Sequence, residues 1–161
     1  MGEDDTLLAS LDLDVAAAGP QLLTFMLGGR LHACAVDGLR EILVSRGTTR
    51  LPGAPPFVLG LLNLRGTLVS VLDVAARLDA TVAPRADGHV IVLEVEGRLA
   101  GCRVDAVRRV RPRPPLDPPP AVGNPEDGGV VMGIGEVDGE PVVVLDLSLL
   151  VRQTLLFPGE R

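Results

Sequence analysis

The sequence has no Lys, no Trp and no Tyr, and it holds only three Phe, two Cys and two His. Nowhere does an apolar run approach the roughly 18 residues that a membrane-spanning helix requires. Each shortage excludes something. All fifteen basic residues are Arg, which we read as compositional bias of the genome and not as a functional signal. With aromatics almost absent, the core must be built from branched aliphatic side chains, which favours strands, and there is little to stack on a nucleic-acid base. Cys34 and Cys102 form no C-x-x-C pair and sit in no ligand cluster, so neither a metal site nor a disulfide framework is expected, and a reducing cytoplasm fits. The N-terminus is acidic where a secretory signal needs basic residues, so an unexported, cytoplasmic protein with no membrane insertion is expected. Of the net charge of −6, residues 1–20 carry −5 through Glu3, Asp4, Asp5, Asp12 and Asp14, leaving −1 for the body. A nearly neutral body argues against nucleic acid as a partner.

What is abundant is Leu, Val and Ala, interrupted by 19 Gly and 14 Pro. Short apolar runs separated by turn residues are the pattern of all-β folds. The runs are also repeated. Residues 22–42 align without a gap to residues 90–110, matching Gly29/Gly97, Arg30/Arg98, Leu31/Leu99, Cys34/Cys102, Val36/Val104, Asp37/Asp105 and Arg40/Arg108. Residues 60–78 align to 133–151 at a shift of 73, larger by five than the first shift of 68, with Gly60/Gly133, Gly66/Gly139, Val69/Val142, Val71/Val144, Leu72/Leu145 and Asp73/Asp146 matched. The extra five residues belong to the Pro-rich stretch 112–125, read as a stiff connection.

Each repeat predicts five strands and a short helix. Gly28-Gly29 and Glu96-Gly97 mark tight hairpin turns, Val137-Asp138-Gly139 another, and Asn63-Leu64-Arg65-Gly66 a β-turn. Alternation in Ile91, Leu93 and Val95 against Glu94 and Glu96 predicts one wet face. The near-continuous runs Leu68–Leu72 and Val142–Leu147 predict strands buried on both faces or at an interface. Helices follow at 74–78 and 147–156, with Asp73 and Asp146 as N-caps. Strands this short hide their edges best by closing on themselves, so the expected fold is all-β: two small barrels packed together, a first at about 21–86 and a second at about 87–147, with a closing helix and a flexible acidic tail at 1–20.

Reactive constellations are not evident. Gly133-Ile134-Gly135 lacks the third glycine of a phosphate-binding loop. His32 and His89 fall in strands without ligand partners, and no serine has a nucleophile context. Asp37 and Asp105 repeat in the manner of paired protease aspartates, but Gly38-Leu39 and Ala106-Val107 follow them in place of Thr/Ser-Gly, so both are read as turn or cap residues. Arg103, Arg108, Arg109, Arg111 and Arg113 are read as a solvated strand face or a surface for an acidic partner. No catalytic residue, metal or cofactor is expected.

The segments Leu51-Pro52-Gly53-Ala54-Pro55-Pro56-Phe57-Val58-Leu59-Gly60 and Leu62-Asn63-Leu64-Arg65-Gly66, then Val69–Asp73, resemble the central signature of the CheW domain. Leu39-Arg40-Glu41-Ile42, Val104-Asp105-Ala106-Val107 and Val143-Val144-Leu145-Asp146 resemble its flanking motifs, so the resemblance spans 21 to about 156. It implies two intertwined five-stranded SH3-like barrels and a non-catalytic adapter that links chemoreceptor tips to the regulatory domain of a CheA-type histidine kinase, with similar barrels as further partners in array rings at the inner membrane. It also implies a receptor- or kinase-binding role for Leu39, Glu41, Asn63, Leu64, Arg65 and Val110, with Arg65 and Glu41 as a surface ion pair. The stretch Arg108 to Arg113 is more basic than the family pattern, and that leaves flagellar chemotaxis and a parallel chemosensory pathway both open. A small-ligand-binding barrel is the rival reading.

Overall fold

The computed structural model describes residues 19–119 and 129–156; most of the expected acidic tail and part of the Pro-rich stretch lie outside them. The first repeat forms β1 (Gln21–Leu27), β2 (Arg30–Ala35), β3 (Leu39–Val44), β4 (Val58–Leu64), β5 (Thr67–Asp73) and α1 (Val74–Leu78). The second forms β6 (His89–Val95), β7 (Arg98–Val104), β8 (Ala106–Pro112), β9 (Val131–Val137), β10 (Glu140–Leu145) and α2 (Leu147–Val151), continued by a π-helical turn over Arg152–Leu156. Asp73 and Asp146 cap their helices, accepting from the Ala76 and Leu149 amides.

Four hairpins share one turn chemistry. Gly28-Gly29, Arg65-Gly66, Glu96-Gly97 and Asp138-Gly139 are two-residue turns with positive φ at both positions. This is the geometry whose twist matches that of the flanking strands.

The strands are shared between two five-stranded sheets, ordered β8-β1-β2-β10-β9 and β3-β6-β7-β5-β4. Under the repeat, β1, β2, β8, β9 and β10 map onto β6, β7, β3, β4 and β5, so the two sheets are images of one another. Each takes the opening hairpin of one repeat and the last three strands of the other. The expected division into barrels at 21–86 and 87–147 therefore does not describe the molecule: the chain changes barrel between β2 and β3 and again between β7 and β8.

Three apolar clusters follow from this exchange. Leu22, Leu31, Ala33, Val137, Val142 and Val144 fill one barrel, and Leu43, Val71, Val90 and Val92 fill the other. Between them lies a larger cluster built from residues next door in sequence: Leu23 and Phe25, Cys34, Leu72, Ile91 and Leu93, Cys102, Leu145, and the helix residues Val74, Leu147 and Leu150. A central strand thus sends alternate side chains into its own barrel and against the other. This corrects the expectation for β6, where Val90 to Leu93 are buried on both faces and only His89 and Glu94 are partly exposed. In β5 the reverse correction applies at Leu68, which is 63% exposed while Val69, Val71 and Leu72 are fully buried.

The connections are repeated as well. The segment before β4 crosses it through a Thr49–Leu61 bridge, and the segment before β9 crosses through Asp117–Ile134. Close crossing needs glycine: a Cβ on Gly60 would fall 2.1 Å from the Thr49 carbonyl oxygen, and one on Gly135 would fall 2.9 Å from both Leu116 and Pro114. Gly133-Ile134-Gly135 is therefore a seat for the Pro-rich strap.

Arg103, expected on a solvated face, is 1% exposed. It and Asp73 are the buried charged side chains among the described residues. Its guanidinium meets Asp73 Oδ2 at 3.3 Å, Asp105 Oδ1 at 2.9 Å and Asp87 Oδ1 at 3.3 Å, while Nε donates to the Asp87 carbonyl at 2.6 Å. Asp105 also accepts from the Gly28 amide at 2.8 Å, and Asp73 from the Arg85 amide at 2.8 Å. The network thereby joins α1, the 79–88 loop, the β7–β8 crossover and the β1–β2 turn. Removing one partner of a buried ion pair strands the other charge, so Arg103→Met should lower the unfolding free energy by about 3–5 kcal/mol in a denaturant titration. A loss below about 1 kcal/mol would mean that the network does not anchor the fold.

Candidate protein-interaction surface

In the sheet β3-β6-β7-β5-β4, the outer strands β3 and β4 face each other across an unpaired seam. Most of the residues singled out from the sequence lie along it. Arg65, at the tip of the β4–β5 hairpin, makes an ion pair with Glu41 of β3. The pair spans the seam; Glu41 is largely covered and Arg65 exposed. Asn63 Oδ1 accepts from the Gly66 amide at 2.9 Å, which fixes the turn that presents Arg65. Leu64 is half-buried against the small cluster of Leu43, Val71, Val90 and Val92. Beside them runs a groove of about 200 Å³ between Leu43-Val44 and Leu62–Arg65.

Two exposed apolar side chains lie beside these residues that sequence reasoning missed, Val44 at 42% and Leu68 at 63% exposure. Leu68 pairs with Asn63 across the hairpin. Its place in an apolar run hid it: the run is continuous, but β5 turns this residue to solvent. Leu39 opens β3 opposite Leu93 and is half-buried against the central cluster, apart from the groove. Val110 is a correction. It is 8% exposed and belongs to the central cluster, because β8 turns it inward while Arg108 and Arg109 point out.

The equivalent seam of the other barrel, between β8 and β9, carries the opposite polarity. There the turn residue is Asp138, the counterpart of Arg65, and it pairs with Arg111 of β8 at 2.9 Å. Its groove of about 190 Å³ is lined by Thr24, Leu31, Arg108, Arg109, Asp138 and Glu140. One seam is thus largely apolar with a basic tip, the other charged with an acidic tip. Exposed ion pairs of this kind contribute little to stability but fix orientation at a contact.

The two His, the two Cys and Asp105 take part in the packing and hydrogen bonding of the fold. His32 stacks on Phe25 with ring centroids 6.2 Å apart, and burial lowers its pKa. His89 Nδ1 accepts from the Val107 amide at 3.0 Å, a role open only to the unprotonated nitrogen, and burial again lowers its pKa. Asp105 is held by Arg103 and Gly28, whereas the Asp37 carboxylate bonds no described residue, so the two carboxylates do not meet. Among the described residues, no three His, Cys, Asp or Glu side chains stand close enough to hold a metal ion. Burial pushes the Cys34 thiol up to about 12 and Cys102 also upward, so both stay protonated and shielded. Neither should react with a disulfide reagent at pH 8 until denaturant is added, when both should react; titration of one thiol in the folded protein would contradict this burial.

A family model described as a CheW-like domain matches residues 21–155. A chemotaxis protein CheW of Rhizobium meliloti is 30% identical over 145 residues, covering 88% of this chain and 90% of that protein. Protein PilI of Pseudomonas aeruginosa is 33% identical over 84 residues, 52% of this chain and 47% of that protein. The crystal structure of a scaffolding protein, TtCheW from Thermoanaerobacter tengcongensis, superposes with a TM-score of 0.68 at 27% identity, over 80% of this chain and 89% of that one. With two like-built sheets, the repeated crossing segments and a family match over nearly the whole described chain, this protein belongs to the CheW-like domain family.

Proposed function

We propose that this chain is a chemotaxis coupling adapter, working by binding and without turnover. Its partners would be chemoreceptor tips and the regulatory domain of a CheA-type histidine kinase, with further CheW-like barrels in array rings, in the cytoplasm beneath the inner membrane. The observation that carries this reading is the seam between β3 and β4, where exposed Val44 and Leu68 lie near a groove held in shape by the Arg65–Glu41 pair. A helical hairpin needs such an apolar slot, with a few charges to set its register. No described helix is long and apolar enough to cross a membrane. Small-ligand binding inside a barrel is disfavoured, because both interiors are filled by the aliphatic side chains of the two smaller clusters.

Co-sedimentation with receptor-containing membranes and a CheA-type kinase tests the reading. Arg65→Glu should weaken co-sedimentation about tenfold while shifting unfolding by less than about 1 kcal/mol, since an exposed ion pair is worth little to the fold. Leu68→Ser should behave likewise. Leu39→Ala should cost on the order of 1–2 kcal/mol of binding if it anchors the contact, and its half-buried position adds a loss in unfolding. Wild-type levels of co-sedimentation for both Arg65→Glu and Leu68→Ser would remove the seam from the interface.

A further inference from the structure

The two barrels are related by the repeat, so the Arg103 network has a counterpart that can be located residue by residue. Carried across the shifts of 68 and 73, Asp73 becomes Asp146, Asp105 becomes Asp37, and Arg103 becomes Ala35. Both aspartates are retained and the cation is replaced by a methyl group. Where the guanidinium would lie there is a cavity of about 210 Å³, lined among others by Cys34, Ala35, Asp37, Leu93, Met132 and Asp146.

The correspondence extends to individual oxygens. Asp73 Oδ1 accepts from the Ala76 amide and caps α1; Asp146 Oδ1 accepts from the Leu149 amide and caps α2. Asp73 Oδ2 then takes Arg103 and the Arg85 amide. Asp146 Oδ2, and both oxygens of Asp37, receive no bond from any described residue. Where α1 is followed by the 79–88 loop that roofs Arg103 and supplies Asp87, α2 is followed, among the described residues, by the π-helical turn Arg152–Leu156. Ala35 and Asp37 are exposed at the rim of the cavity.

We propose that this cavity is a docking socket for an arginine side chain of a partner protein. Its guanidinium would bridge Asp37 and Asp146 as Arg103 bridges Asp105 and Asp73 within the chain. Arginine suits the site better than lysine because its planar fork reaches two carboxylates at once, whereas an ammonium is a point charge. Leu93 and Met132 offer apolar walls to the side-chain stem. A metal ion is a poorer occupant, because no third His, Cys, Asp or Glu among the described residues completes a ligand set. The two carboxylates would repel a phosphate backbone. The inference rests on the repeat alone and holds whichever protein presents the arginine.

The test is an NMR titration of the full chain with the peptide acetyl-Gly-Arg-Gly-amide and its lysine counterpart. The arginine peptide should produce saturable amide shifts confined to residues 35–37, Met132 and 146–148, and the lysine peptide markedly smaller ones. The double variant D37N/D146N should weaken arginine-peptide binding roughly tenfold or more, as expected when charge-assisted bonds are lost. Asn still caps a helix, so its melting should stay near that of the wild type. In A35R a guanidinium tethered within the chain should occupy the socket and abolish the arginine-peptide shifts. Equal responses to both peptides, shifts scattered over the surface, a response unchanged by D37N/D146N, or calcium reproducing the shifts while the arginine peptide gives none would each overturn the proposal.

Discussion

The structure depends on one constraint: with three Phe, no Trp and no Tyr, the central strands must bury aliphatic side chains on both faces. A single small barrel offers only its interior. Pairing two barrels gives each strand a second dry surface, and the successive residues Leu22 and Leu23, Ala33 and Cys34, Val71 and Leu72, and Val144 and Leu145 each divide between an interior and the shared layer. The exchange of hairpins between repeats builds that layer from both halves of the chain. Arg103, the buried cation at the edge of this apolar arrangement, is satisfied by three aspartates from separate segments, so it ties segments together where aliphatic contacts alone carry no directional information.

Much of this was legible in the residues. The matched glycines and aspartates gave away the repeat, and the positive-φ turns and both helix caps follow from local chemistry. The assignment of strands to barrels was not legible, and the reason lies in the repeat itself. Because β1 and β6 are alike in pattern, nothing local tells β3 to pair with β6 and not with β1. The burial of Arg103 was hidden for a similar reason: its partners Asp73 and Asp87 lie 30 and 16 residues away, and proximity in sequence to Arg108 and Arg109 suggested a common face. Val110 and Leu68 each depended on which way a strand is turned, which an unbroken apolar run or a mixed basic one does not specify.

The candidate surface was read mainly through family resemblance, and the geometry adds what resemblance lacked. Glu41 and Arg65 are 24 residues apart and belong to opposite edges of one sheet, yet they meet across its seam. The duplicated seam keeps the architecture and inverts the charges, Asp138 on the turn and Arg111 on the strand. Duplication has thus yielded two similar frames with different surface chemistry.

The hairpin exchange also governs how the molecule comes apart. A cut near residue 86 would leave β1 and β2 severed from β8, β9 and β10, and β6 and β7 from β3, β4 and β5, so neither fragment would own a complete barrel. The two barrels are accordingly expected to melt in a single cooperative step. Assembly must wait for contacts between distant parts of the chain, which places this small domain among slow folders for its size.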